Sequence, residues 1–572
     1  MITLKSHFLM LLRSLLIILA LQAIPSAANA ATYYVSIQGN NAEAGTEAKP
    51  WRTLQHAVDS LKPGDTAIVG PGVYRERIEV QRGGTAKAPI SLIAAPGARV
   101  IVSGADLLSD GWTPEKGSDG IYSHDWAHRF PINGPNDLIH PADKYHEVIG
   151  RAEQVMHEGR QLRQVLKREQ LSHGTFYVDL NAKKLYVWLS DSNDPARTEV
   201  EASTRTQWLT AERGVSNVHV RGITFRYAAN HAQRGAFSVP YGAQSWQVVD
   251  CVFERTNGVA VTITGDGHLF RRCVFQDNGQ MGLGAYACHN TRIEECGFYR
   301  NNLKGYNLDW EAGGVKITMS RGFVFWRCRA VDNRGPGLWY DIGNEKAVIA
   351  HCYLADNDEA GIFYEISYSL HAHDNLIVNN ANHKAKPRGS WGVGGITLSS
   401  SEDCIVENNT LIGNRDGFTL REQNRTTPRI DGGERRIMNK NHIIRKNLIA
   451  HSQDFNIGFW IDMTFFGPHP VGHDKKDPIS EDPKTLDLRF EDNLLWALPG
   501  RPNYQYGCVW RPKSKPADTP ADFSKASGIA DTSIIADPRF TNTHAHDYRL
   551  LADSPASKRG VGLREFEKIP QR

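Results

Sequence analysis

From Val218 to Asn414 the chain repeats itself. Short β-branched and aromatic runs such as WQVVDCVF, RIEECGFY, FVFWRCRA and AVIAHCYL return about one coil apart, each bounded by DN, NN, NG or GN turns. A blade of a propeller needs roughly 40–50 residues, and a leucine-rich repeat needs an LxxLxL frame that is missing here. A period near 23 with Asn-rich turns leaves a stack of parallel coils: an all-β chain folded as a parallel β-helix.

Cysteines keep time with the repeat. Cys251, Cys273, Cys296, Cys328 and Cys352 occupy one slot in successive coils, and Asn375, Asn409, Asn447 and Asn493 take the same slot afterwards. A column of one residue type is an internal ladder. Buried Cys fills it as a small apolar group, and stacked Asn amides bond to their neighbours above and below. CxxC spacing is absent, so packing is expected rather than a metal or redox cluster.

Before the regular coils, PWRTLQHAVDSLKPGDTAIV places Trp51, Leu54, Val58 and Leu61 on one face of a short helix that would cap the open end of the stack. First coils are expected over residues 31–104. The rhythm then stops over residues 105–203. There FYVDLNAKKLYVWL reads as a hairpin around Asn181–Lys184, so an inserted antiparallel β-sandwich domain is expected. The main helix should occupy 204–572, its tail closing as a final coil, with long loops near 424–439 and 467–484.

Aligning coils on their leading glycines gives GVKITMS, GLWYDIG, GIFYEIS, GITLSSS and GFTLREQ. Alternation then sets Lys316, Trp339, Phe363, Thr397 and Thr419 in one outward column. Thr318, Asp341, Glu365, Ser399 and Arg421 form the next. Two carboxylates thus stack at about 4.8 Å between backbones, beside two aromatics that would offer a face to a sugar ring. Glu311, in DWEAGGVK with Trp310, falls at the rim, and Asn344 and Tyr368 follow the acids as candidate substrate contacts. Acids this close push each other's proton affinities apart, which suits glycosidic bond cleavage. Retaining enzymes hold their two carboxylates about 5–5.5 Å apart.

With 66 basic and 63 acidic residues the net charge is +3, so no field for nucleic acid or a strongly anionic polymer is implied. The N-terminus, with Lys5 and Arg13 before SLLIILALQAI and an Ala28-Asn29-Ala30 site, reads as a secretory signal peptide over residues 1–30. An exported protein with no membrane anchor is expected, in the periplasm or the medium. Nothing in the sequence sets an oligomeric state.

The motifs around Glu311, Asp341 and Glu365, together with the insert after the first coils, resemble the β-helix glycosidases of the β-xylosidase family 120. That resemblance implies a right-handed parallel β-helix, an oligosaccharide or polysaccharide substrate cleaved without a cofactor, Asp341 as nucleophile and Glu365 as acid/base. Glu311 is a second candidate for the proton-donor role. Two other classes stay open. A polysaccharide lyase or uronate epimerase would use Ca²⁺ on the acids and a base among Lys316, Arg421 and Tyr368. A non-catalytic carbohydrate-binding β-helix would need neither acid.

Overall fold

The structure, a computed structural model, describes residues 30–131, 148–308, 311–382, 393–423, 425–461, 486–508 and 515–565. The signal-peptide segment, Trp310 and the loop at 467–484 lie outside these. No helix among the described residues is long and apolar enough to cross a membrane.

Three long sheets, parallel almost throughout, run the length of the molecule. Each coil gives one strand to each in turn. The coil Val324–Trp326, Arg329–Val331, Leu338–Asp341 is typical, and its strands pair with Val348–Ala350, Tyr353–Ala355 and Ile362–Glu365 of the next. The first sheet begins at Thr32–Val35, the second at Gly72–Tyr74 and the third, which carries Asp341 and Glu365, at Ile78–Val80.

Corners set the period. Between the first and second sheets each coil turns on one left-handed residue, such as Arg272 (φ 51°), Arg327 (φ 52°) or Asp374 (φ 53°). The next residue points inward and belongs to the Cys–Asn ladder. Asn375 Oδ1 accepts from Cys352 N at 2.9 Å, and Asn409 Oδ1 accepts from Asn375 Nδ2 at 2.9 Å. Seven cysteines, from Cys251 to Cys404, are buried free thiols.

A second ladder runs along the corner between the second and third sheets. Asn278, Asn301, Asn333, Asn357, Asn380 and Asn414 are joined amide to amide at 2.8–3.0 Å. Inside, Phe225, Phe253, Phe275 and Phe298 stack ring on ring, 4.7–5.2 Å apart. Ladder and stack demand the same register. A slip of one residue would turn every apolar side chain outward, so the stack has one alignment.

The helix Leu54–Ser60, capped by Thr53, buries Leu54, Ala57 and Val58 against the first coils. Residues 105–203 form a four-stranded and a five-stranded sheet around Trp126, Phe176, Val187 and Val200. Its pairings are antiparallel, the Thr175–Asp179/Lys184–Trp188 hairpin included, except that Arg163–Val165 runs parallel to Thr175–Asp179. Coils resume where Leu209–Ala211 pairs with Ile78–Val80.

The tail departs from expectation. A partial coil closes the first two sheets, Ala530–Asp531 and Ile534–Ile535 pairing parallel with Leu488–Glu491 and Leu494–Trp496. The segments expected to form it, DPRFTN and DYRLLADSPAS, pair antiparallel beyond it. The helix Pro520–Ser527 precedes that partial coil and covers the end, with Phe523 stacked 4.6 Å from Tyr504. The chain then turns back along the second sheet, where Tyr548 packs among Val331, Tyr353 and Leu376. Apolar side chains facing outward on that sheet explain the return, because they would otherwise stand in water.

Candidate active site

In the third sheet Lys316, Trp339, Phe363, Thr397 and Thr419 pair in that order, Thr318 pairs with Asp341, and Glu365 pairs with Ser399 and Ser399 with Arg421. Asp341 and Glu365 therefore end adjacent strands on the same outward column. Both are nearly buried, at 7% exposure each. Inward, Tyr340 and Tyr364 anchor these strands: their hydroxyls donate to Phe323 O at 3.2 Å and Tyr368 O at 2.6 Å. Each acid is followed by an isoleucine in the left-handed region, Ile342 at φ 58° and Ile366 at φ 38°. A β-branched residue there is strained by about 1–3 kcal/mol, a cost that surrounding structure must hold in place.

Cations partner both acids. Lys316 Nζ lies 3.0 Å from Asp341 Oδ2 and 3.4 Å from Glu311 Oε1. Glu365 Oε1 takes Arg425 Nη1 at 3.1 Å, with Arg421 Nη2 at 3.5 Å. Burial works to discharge Lys316, but Asp341 and Glu311 outweigh it and hold the ammonium above the usual lysine range. Asp341 is the strained partner. Burial, then the Glu365 charge, push its carboxyl up to about 6 against the pull of Lys316. Its Oδ1 is buried without a hydrogen-bond partner. A buried acceptor left unpaired beside a second carboxylate is poised for chemistry rather than for stability.

With this geometry in view, comparison with known proteins places the chain. Residues 239–411 match the family described as right handed beta helix region. The fold is a right-handed parallel β-helix. YwoF, an uncharacterized protein of Bacillus subtilis, is 34% identical over 76 residues, 13% of this chain and 16% of its own. Pectate lyase PEL9 of Emericella nidulans is 38% identical over 87 residues, 15% of this chain and 21% of its own. These matches span about a sixth to a fifth of those relatives. The solved structure of XylC with xylose superposes with a TM-score of 0.63 at 16% identity, covering 84% of this chain and 87% of that one. The expected resemblance to β-helix glycoside hydrolases is thus met at the level of fold.

Several expected substrate contacts of this β-helix take other places. Trp339 is 2% exposed. One ring face stacks on Phe363 at 5.3 Å, and Lys316 Nζ sits 3.9 Å from the ring centroid. Arg421 covers Phe363 in turn, 5.1 Å from its ring. The aromatics form the middle of a Lys–Trp–Phe–Arg stack, not an open sugar platform, because cations one rung away find the ring faces first.

Asn344 is internal. Its amide donates to Ile317 O, Asp341 O and Ser367 Oγ at 2.8–3.1 Å, making a third corner ladder that holds the Asp341 backbone. Tyr368 is also turned away, packed between Arg429 at 4.1 Å and Arg435 at 4.9 Å. Neither can meet substrate on the acid column.

Those arginines belong to a hairpin in the segment expected to be a long loop. Strands Arg425–Pro428 and Glu434–Ile437 pair antiparallel and lie back along the corner beside the acids. Thr427 Oγ1 donates to Ile366 O at 3.0 Å, and Arg429 Nε donates to Glu345 Oε1 at 2.8 Å. The hairpin walls the flank of the site. Opposite, the insert contributes Ile149 to a cluster with Tyr306 and Ala312, next to Glu311. Arg425 is the contact that sequence spacing missed.

Among the described residues, His351, His373 and Asp374 are close enough together to hold a metal, at a corner distant from the acids. Around Asp341 and Glu365 the lysine and arginines already supply the counter-charge, so this donor set does not make a Ca²⁺ cage.

Proposed function

We propose that the protein is an exported glycoside hydrolase acting on a β-xyloside-like bond by a retaining two-carboxylate mechanism. The observation that carries this reading is the adjacent pair Asp341 and Glu365 on one outward column. Asp341 is the nucleophile. Above about pH 6 it is ionised and can act as a nucleophile toward an anomeric carbon. In the reacting form the proton shared by the pair sits on Glu365, which delivers it to the leaving oxygen and later takes one from water. Glu311 is the second candidate for that role. Lys316 steadies the Asp341 carboxylate through Oδ2. The leader at residues 1–30 supports export, and likeness to the fold of XylC supports the sugar class.

The test is turnover of a panel of aryl glycosides, p-nitrophenyl β-xyloside included, by the purified protein, Asp341→Asn and Glu365→Gln. Each substitution is expected to lower kcat by about 10³-fold or more. NMR of the first product should show the anomer of the substrate; early appearance of the inverted anomer rejects retention. A second reading rests on Lys316, Arg421 and Arg425 crowding the acids, which suits a lyase that neutralises a uronate. Release of ultraviolet-absorbing products from a polyuronate, with no aryl glycoside cleaved, would favour it.

A further inference from the structure

Trp339 and Phe363 are covered, so the site as described lacks an open aromatic face for a sugar. The acid column supplies one two rungs earlier. Tyr286 pairs with Thr318, and Thr318 with Asp341, so the tyrosine stands on the same outward line about 9.6 Å back along the stack. It is 56% exposed. Its neighbour two residues back on the same face is Gly284, which pairs with Lys316. The one residue between the ring and the acids on that outward line is Thr318, a short side chain whose hydroxyl is turned to Ala285 O at 3.2 Å.

Exposed large aromatics are scarce among the described residues: Tyr286 and Tyr241. Tyr241 is engaged by Arg213, 4.8 Å from its ring. Tyr286 has no ring partner. Leaving a flat apolar face in water on the line of the acids has a cost that a stacked pyranose would remove.

We infer that Tyr286 is a binding platform for a second sugar ring, so that the substrate is an oligosaccharide laid along the column and not a simple glycoside held at the acids alone. The inference rests on the glycosidase reading for its chemistry. It names the direction of extension: towards the N-terminal coils, on the Asp341 side of the scissile bond, across Thr318. Tyr286 touches substrate without acting on the bond, so its loss should be read in KM and should grow with chain length.

The experiment compares p-nitrophenyl β-xyloside with β-1,4-xylotriose for the full-length mature protein, Tyr286→Ala, Tyr286→Phe and Tyr241→Ala. For Tyr286→Ala, KM on xylotriose should rise about five- to tenfold more than KM on the aryl xyloside. Tyr286→Phe should restore it, and Tyr241→Ala should match the wild type. Equal effects on both substrates, or no effect on either, overturn the inference while leaving the glycosidase reading intact. If the wild type cleaves neither substrate, that reading fails, and calorimetric binding of xylotriose decides the platform by itself. Binding weakened by Tyr286→Ala supports it; no binding, or binding indifferent to the substitution, overturns it.

Discussion

Asp341→Asn should gain stability relative to the wild type as pH rises, while it destroys activity, and the gain should follow pH in a calculable way. The Asp341 carboxyl moves from an ordinary 3.8 to about 6 on folding. At about 1.4 kcal/mol per tenfold, that is a deficit of about 3 kcal/mol once the group is ionised in both states. Because its affinity is raised, the folded state binds the proton more tightly than the unfolded chain. The stability it lends is full below pH 3.8, is lost as pH rises through about 6, and stays lost above. At about 2.1 cal/mol/K per residue over 572 residues, the unfolding entropy is about 1.2 kcal/mol/K, so 3 kcal/mol shifts Tm by about 2.5 °C. Scanning calorimetry should find the Tm of Asp341→Asn rising relative to the wild type by about 2 °C from pH 4 to 7, since most but not all of the effect falls in that window. Any constant effect on the Lys316 pair cancels in the difference. A relative Tm that stays flat within about 1 °C, or falls, would refute the account of Asp341 as a buried acid held against its preference. The same group should place the acid limb of kcat/KM near pH 6.

Arg425→Ala removes the hairpin's contact with Glu365 at the cost of a partly exposed ion pair, so kcat should fall about tenfold while Tm moves by about 1 °C or less; a Tm drop matching the activity loss would make Arg425 merely structural. Asn357→Ala strips partners from Asn333 Nδ2, Ala330 O and Asn380 Oδ1, all buried, and should destabilise by about 3–5 kcal/mol in chemical denaturation. A neutral result would deny the ladder its role. Treatment with EDTA should leave aryl xyloside turnover unchanged, since Lys316, Arg421 and Arg425 supply the site's positive charge; loss restored by Ca²⁺ would return the acids to metal binding.

The period, the Cys–Asn ladder and both outward columns were legible because each coil states the same slot again. One alignment error would have to recur in every copy. The second ladder was equally present in the sequence. Asn278, Asn301, Asn333, Asn357 and Asn380 trail the Cys–Asn slots by five residues throughout, yet DN and NN pairs read as turn punctuation and hid their inward amides. Covering of Trp339 by Lys316 also followed from the column, since a lysine one rung from an indole lies within cation–π reach. Arg425 was out of reach, because its bond to Glu365 joins residues 60 apart through a hairpin outside the repeat. The tail misled for a related reason. Phe540–Asn542 and Asp547–Leu550 look like coil strands, and only the apolar outer face of the second sheet says that they belong on the side.

The separation of the two acids is a property of the whole stack. Asp341 sits next to Glu365 because Leu338, Trp339 and Tyr340 pair with Ile362, Phe363 and Tyr364. That register is fixed at three corners by the Cys–Asn line, the Asn line through Asn333 and Asn357, and the Ser320–Asn344–Ser367 line. The corners must also hold Ile342 and Ile366 in left-handed conformations and keep two like charges on neighbouring rungs. Each burden is of order 1–3 kcal/mol, and neither would survive at a frayed end of the solenoid. The acids lie mid-stack, with coils paired on both sides, where local opening is least favourable. Position in the repeat is thus part of the chemistry. The same DI and EI motifs in a terminal coil would relax the strain, separate the carboxylates and return Asp341 to an ordinary acid.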